Sequence, residues 1–187
     1  MGIRKLFFAV RPDANAGALA DGARRRLMAA HRLSGSVVKA SRLHVTLHWL
    51  GDHDDVVPPD LLRSARVAGS RVRMAPFRVG FDRVAGFGED RGGLMLGGGA
   101  ELRPLRQLQL EVATAMDAAN IGRYIRRSFR PHVTLLYGNR PAPSEPIAPI
   151  RWEVTELVLI ESVVGEHLHI EQDRWPLTSP QLGFDSW

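Results

Sequence analysis

The sequence predicts an α+β fold built on antiparallel sheets. Two observations carry that expectation. The first is the order of its segments, strand–helix–strand–helix–strand–strand–helix–strand–strand–strand, which lacks the regular alternation of a parallel doubly wound sheet. The second is an echo between the two halves of the chain. Each half offers a strand, a long helix and then a strand bearing His-Val-Thr-Leu, once at positions 44–47 and once at 132–135.

Taken in order, Ile3 to Val10 is a short β-rich apolar run that ends at the turn signal Arg11-Pro12-Asp13. Asp13 is an N-cap for a helix through about Leu33, in which Leu19, Ala23, Leu27 and Ala30 recur at helical spacing. Leu43 to Leu50 reads as the second strand, closed by Gly51-Asp52. A helix follows Pro58-Pro59-Asp60, with Leu61, Leu62, Ala65 and Ala68 on one side. From Phe77 to Val84 apolar and polar residues alternate as in a half-buried strand, and Leu94-Met95-Leu96 is a further short strand between glycine clusters. Those clusters lack the Lys-Ser/Thr of a phosphate loop and read as turns. Glu101 to about Ala119 is the clearest helix, with Leu102, Leu105, Leu108, Val112 and Met116 in one stripe. His132 to Tyr137 is a strand and Pro141 to Pro149 a proline-rich surface loop. Trp152 to Val164 and His167 to Leu177 close the chain as two strands turned at Gly165.

The 187 residues are long enough for one good core or two small lobes sharing one. With 44% hydrophobic and 24% charged residues, the composition is that of an ordinary globular protein. The absence of cysteine excludes disulfides, thiolate metal sites and a cysteine nucleophile, and suits a reducing cytoplasm. No apolar stretch approaches the ~20 residues that span a bilayer. The apolar run near the N-terminus is too short for a signal peptide. A cytoplasmic protein with no membrane partner is expected. The net charge of +5 is carried by arginine, with Lys5 and Lys39 the only lysines. Arginine suits bidentate phosphate contacts, although a GC-rich genome would write the same residues.

The chemistry lies in the two tetrads. Residues two apart in a strand point the same way, so His44 shares a face with Thr46 and His132 with Thr134, while Val45, Leu47, Val133 and Leu135 anchor the other face. Two such strands across a cleft would gather two imidazoles and two hydroxyls. That set suits in-line displacement at phosphorus. One neutral imidazole takes a proton from water, and the other, protonated, gives one to the departing oxygen. The hydroxyls meet the charge growing on the non-bridging oxygens. No metal, cofactor or nucleophilic side chain is required. For either tetrad alone, a strand with a packed histidine is the simpler reading; both arising by chance has odds of roughly 0.5%.

Two His-x-Thr-x tetrads half a chain apart resemble the 2H phosphoesterase superfamily. The nearest branch is the RNA 2′,3′-cyclic phosphodiesterases, also called 2′-5′ RNA ligase-like proteins. The segments 4–12, 43–47, 130–135, 159–162 and 174–177 carry the resemblance. It implies one domain over 1–187, bilobal, with two pseudo-symmetric intertwined lobes of antiparallel sheet and helices around a central cleft. It implies hydrolysis of RNA 2′,3′-cyclic phosphate ends to a 2′-phosphate, with 2′-5′ ligation as the reverse reaction. By analogy His44 protonates the leaving 3′ oxygen, His132 activates water, and Thr46 and Thr134 bind phosphate. The partner is an RNA or nucleotide carrying a 2′,3′-cyclic phosphate, and the protein is expected to be a monomer. Two positions depart from the pattern. Tyr137 stands where many relatives have an arginine, and His169 where a tyrosine is usual.

Trp49 matches a position often aromatic in that family and would stack a base, but strict alternation turns it toward the core. Regular alternation would also put His48 on the face of His44. His167-x-His169 has a spacing compatible with zinc, without a clear carboxylate or cysteine to complete a site. The stretch from Gly122 to Arg130 packs four arginines with two aromatics and would guide an RNA strand, or form a solvated basic loop. Tyr137 and Arg130 join Trp49 as candidate substrate contacts. The competing function is a non-catalytic nucleotide- or RNA-binding module on the same fold, which would not need two titratable imidazoles.

Overall fold

In the computed structural model, which describes residues 2–88, 92–138, 140 and 142–179, the chain forms two antiparallel sheets and three α-helices. The strands are β1 (Ile3–Val10), β2 (Gly35–Val37), β3 (Val45–Asp54), β4 (Phe77–Phe87), β5 (Gly93–Gly97), β6 (Val133–Gly138), β7 (Glu145–Val154), β8 (Glu156–Val163) and β9 (Leu168–Pro176). The helices are α1 (Ala14–Ala30), α2 (Pro59–Arg71) and α3 (Arg103–Ala118). The first sheet has the order β3-β1-β8-β9 and the second β2-β6-β5-β4-β7. Without β2, the two orders correspond strand for strand, each tetrad strand lying beside the strand that precedes its half's long helix. The expected α+β architecture, with paired lobes of antiparallel sheet, is therefore what forms.

The helices are exchanged between the lobes. α1 follows β1 of the first sheet but packs on β6 and β7 of the second. α3 follows β5 of the second sheet yet packs on β3 of the first and on α2. A continuous apolar cluster consequently runs from Leu6, Phe8 and Leu47 through Leu105 and Val112 to Leu135 and Trp152. Asp13 caps α1 by accepting from the Ala16 amide at 2.7 Å. The buried face of that helix is Ala16, Gly17, Ala20 and Leu27, whereas Leu19 is 50% exposed. Small residues let the helix lie close to the sheet, so they take the face that the larger Leu19 would suggest. α3 buries its expected stripe.

Three segments differ from the sequence expectation. β2 has no strand signature of its own and forms because its backbone pairs with β6 from Gly35↔Gly138 to Val37↔Leu136. A Cβ at Gly35 would lie 2.1 Å from the Tyr137 carbonyl oxygen, so only glycine permits that approach. The expected proline-rich loop is mostly β7, Pro141 itself lying outside the described residues. Its prolines are tolerated because β7 is an edge strand of the second sheet, where a missing amide breaks no interior ladder. Finally, Trp152 to Val164 is not one strand. β7 ends at Val154, and after Thr155 β8 enters the other sheet, a crossover made without glycine or proline.

Candidate active site

His44 and His132 both stand one residue before the strands β3 and β6 begin, and each is held in the same way. The Nδ1–H of His44 donates to the Arg42 carbonyl at 2.7 Å, and that of His132 to the Arg130 carbonyl at 2.9 Å. A carbonyl oxygen only accepts, so Nδ1 carries the hydrogen and Nε2 is the nitrogen left for chemistry. The following residues alternate as expected: Val45, Leu47, Val133 and Leu135 are buried, and Thr46 and Thr134 half-buried.

Alternation then breaks at the same place in both strands. Along β1 and β3, Ala9 pairs with Thr46 but the next residue, Phe8, pairs with His48, which leaves Leu47 as a bulge. Along β5 and β6, Met95 pairs with Thr134 and Leu94 with Leu136, leaving Leu135 as the matching bulge. A bulge reverses the facing of everything beyond it. His48 is thereby turned into the core, 1% exposed, where its Nε2–H donates to the Gln109 carbonyl at 2.9 Å. It does not share the face of His44. Trp49 and Tyr137, each five residues after its histidine, are turned outward.

Those two aromatics line one cavity of about 170 Å³ between the sheets, with His44, Thr134, Arg42 and His169. Thr46, His132 and Arg130 lie outside its lining, but the charge of His132 is felt at His44. The floor is a small apolar cluster on the cleft face of the first sheet, made of Phe7, Ala9, Val158 and Ile160, with Trp49 packed against it. Trp49 thus both packs and faces the cleft. Its ring stacks on Phe7 at 5.7 Å, and His44 stacks on the same phenyl ring at 4.9 Å. Sequence reading missed Phe7 and Arg42. Phe7 sits in an unbroken apolar run that gives no facing, and Arg42 is brought in only by the turn before β3.

Burial against this aromatic floor lowers the pKa of His44 to about 4. The carbonyl of Arg42 opposes the shift, and the charges of His132, Arg11 and Arg42 add to it. His169, edge-on to His44 at 5.2 Å, is lowered to about 3, first by burial and then by the charges of His44, Arg42 and Arg11. Both imidazoles are neutral near pH 7 in a site whose surrounding cations favour an anion.

Arg42 donates to His167 Nδ1 at 3.3 Å and to His169 Nε2 at 3.5 Å, so this histidine pair faces a guanidinium. Among the described residues no group of three or more His, Asp or Glu is arranged to hold a metal ion. In the basic stretch before the second tetrad, Tyr124, Ile125 and Phe129 pack on the core and the arginines point outward. The side chain of Arg130 is exposed, and its contribution here is the carbonyl that positions His132.

A family model described as the 2′-5′ RNA ligase superfamily matches residues 12–166. E. coli LigT in its apo form superposes with a TM-score of 0.74 at 26% identity, covering 96% of this chain and 100% of that one. The same protein complexed with 3′-AMP gives 0.71 at 27% identity, with 95% and 99% covered. A protein of Thermus thermophilus, TT0787, at 21% identity and a TM-score of 0.72, covers 94% of this chain and 98% of its own and shares the fold. No curated protein is significantly similar in sequence.

Proposed function

The chain belongs to the 2′-5′ RNA ligase superfamily, and on that premise we propose that it hydrolyses RNA 2′,3′-cyclic phosphate ends to 2′-phosphates through the paired imidazoles of His44 and His132. The observation that carries this reading is the duplicated clamp: in both tetrads the carbonyl two residues upstream binds Nδ1–H and leaves Nε2 free. Binding alone would not call for two imidazoles fixed in one tautomer. The structure of E. coli LigT complexed with 3′-AMP is in keeping with a nucleotide ligand.

In the proposed reaction His132 Nε2 takes a proton from water as its oxygen attacks phosphorus. The bond from phosphorus to the 3′ oxygen breaks, and that oxygen takes a proton from His44 Nε2. Thr46 and Thr134 donate hydrogen bonds to the non-bridging oxygens as charge builds there. His44 is neutral in the free protein, so it must gain its proton with the substrate. The bound phosphodiester supplies the negative charge that raises its pKa. Ligation to a 2′-5′ bond runs through the same groups with their roles exchanged. Trp49 and Tyr137, which both line the cavity, are the base contacts in this reading.

An oligoribonucleotide ending in 2′,3′-cyclic phosphate provides the test. Turnover should persist in EDTA and leave an end that resists a phosphatase restricted to 3′-phosphates. Release of the terminal phosphate by that enzyme would reverse the assigned regiochemistry, and no opening at all would remove the hydrolase reading.

A further inference from the structure

The groove continues past the histidines. Lys5, Arg42, Tyr137 and Ser162 line the cavity just described and also wall a second hollow of about 240 Å³, to whose lining Ser36 and His167 are added. Among the described residues no acidic side chain lines either space. Arg42 stands at the junction. One guanidinium nitrogen reaches His167, in the wall of the second hollow, and the other reaches His169, in the wall of the first.

Among the described residues this guanidinium differs from its neighbours in having no carboxylate partner. Arg4 is neutralised by Glu161 and Arg11 by Glu171, each at 2.9 Å. Among the described residues no carboxylate pairs with Arg42, and its buried Nε has no hydrogen-bond partner. Two imidazole nitrogens accept from it and fix its plane without cancelling its charge. Lys5 adds a second cation, engaged among the described residues by an exposed Asp52 at 3.8 Å and by the Trp49 ring. A half-buried planar cation held between two adjoining hollows is a fitting for an anionic oxygen pair.

We propose that the second hollow is a subsite for a second phosphate, the one on the 5′ carbon of the nucleotide whose 2′,3′-phosphate lies at the histidines. This rests on the reading above. One ribose carries both phosphates, so two neighbouring anion sites match a single 5′-phosphorylated terminal nucleotide. The phosphate is either a free monoester or the diester leading into an RNA strand. The substrate class is then a 5′-phosphorylated end, in preference to a nucleoside 2′,3′-cyclic phosphate that has no 5′-phosphate.

Calorimetric titration of the full chain with unreactive ligands tests this without turnover. A nucleoside 2′,5′-bisphosphate should bind at least ~10-fold more tightly than the nucleoside 2′-phosphate, as expected for a charge-assisted contact. Arg42→Ala should bring the two affinities within about twofold. Ser36→Asp, on an exposed edge strand and outside the lining of the cavity at His44, should do the same by repulsion and decides the matter if the arginine variant does not fold. A dinucleotide ending in a 2′-phosphate separates the sources: retained preference identifies the strand diester, lost preference the monoester. Equal affinities in the wild type, failure of both ligands to bind, or a preference that survives Ser36→Asp would overturn the subsite. A protein that shows the preference but opens no cyclic phosphate keeps the subsite and loses the hydrolase reading.

Discussion

The two histidines are built alike but sit in different surroundings. His44 lies on Phe7 beside His169, and burial there holds it neutral to about pH 4. That has a consequence for stability. Its ordinary value is 6.5, so between these limits the unfolded chain takes up a proton that the folded one refuses. Stability should therefore be complete above about 6.5 and decline as the pH falls toward about 4. His169 and His48, lowered by burial in the same direction, add to the decline. Urea midpoints measured across this range should show the slope, and His44→Asn should flatten it; an unchanged slope would place the titration elsewhere. For catalysis, His44→Ala and His132→Ala should each lower turnover by at least ~10²-fold with the fold retained, since in the proposed reaction each is one proton-transfer partner. Thr46→Ala and Thr134→Ala should be milder. Near-normal rates in either histidine variant would end the two-imidazole mechanism.

The strands decide which residues meet the cleft. The bulges at Leu47 and Leu135 turn Trp49 and Tyr137 outward and bury His48 and Leu136. A second irregularity between Lys5 and Phe7 lets β3 run on to Asp54, with Gly51 at φ 109° where the sequence suggests an end. If Trp49 stacks a base, Trp49→Ala should raise KM roughly 5- to 150-fold, the equivalent of ~1–3 kcal/mol of stacking, with less effect on kcat. Loss of indole fluorescence quenching by nucleotide should accompany it. Among the helices, α2 is seated through Gly69, where an added Cβ would lie 2.3 to 2.5 Å from the Trp175 ring of β9. Gly69→Ala should therefore cost about 1–3 kcal/mol by overpacking and lower Tm by several degrees. A Tm equal to the wild type would mean that the Trp175 ring yields without loss.

At the scale of the molecule, each lobe lends its long helix to the other. α1 covers the second sheet, α3 reaches the first, and apolar side chains of both form one cluster. Neither sheet can shed its helix without exposing the core of the other. We expect residues 1–187 to unfold in one cooperative transition, with coincident circular dichroism and fluorescence curves. Separated transitions would show lobes that fold independently. Light scattering should give a monomer. No helix among the described residues is long and apolar enough to cross a membrane.

Much of this was legible in the sequence because it depends on local periodicity. The helical stripe of α3, the Asp13 cap, the alternation through Val45 and Leu47, and the repetition of His-Val-Thr-Leu are all properties of neighbouring residues. They sufficed for the α+β class and for singling out His44, Thr46, His132 and Thr134 as candidates. Pairing partners were not legible. β2 is a strand only because β6 offers it a backbone edge, and the single residue Thr155 passes the chain between sheets with no breaker to mark it. The facing of Trp49 and Tyr137 depends on a bulge, which is a relation between two strands and leaves no mark on either one. The environment of His44 likewise comes from Phe7 and His169, at opposite ends of the chain. Sequence spacing sets which residues share a face until the first bulge; beyond it, only the register of the neighbouring strand determines what enters the cleft.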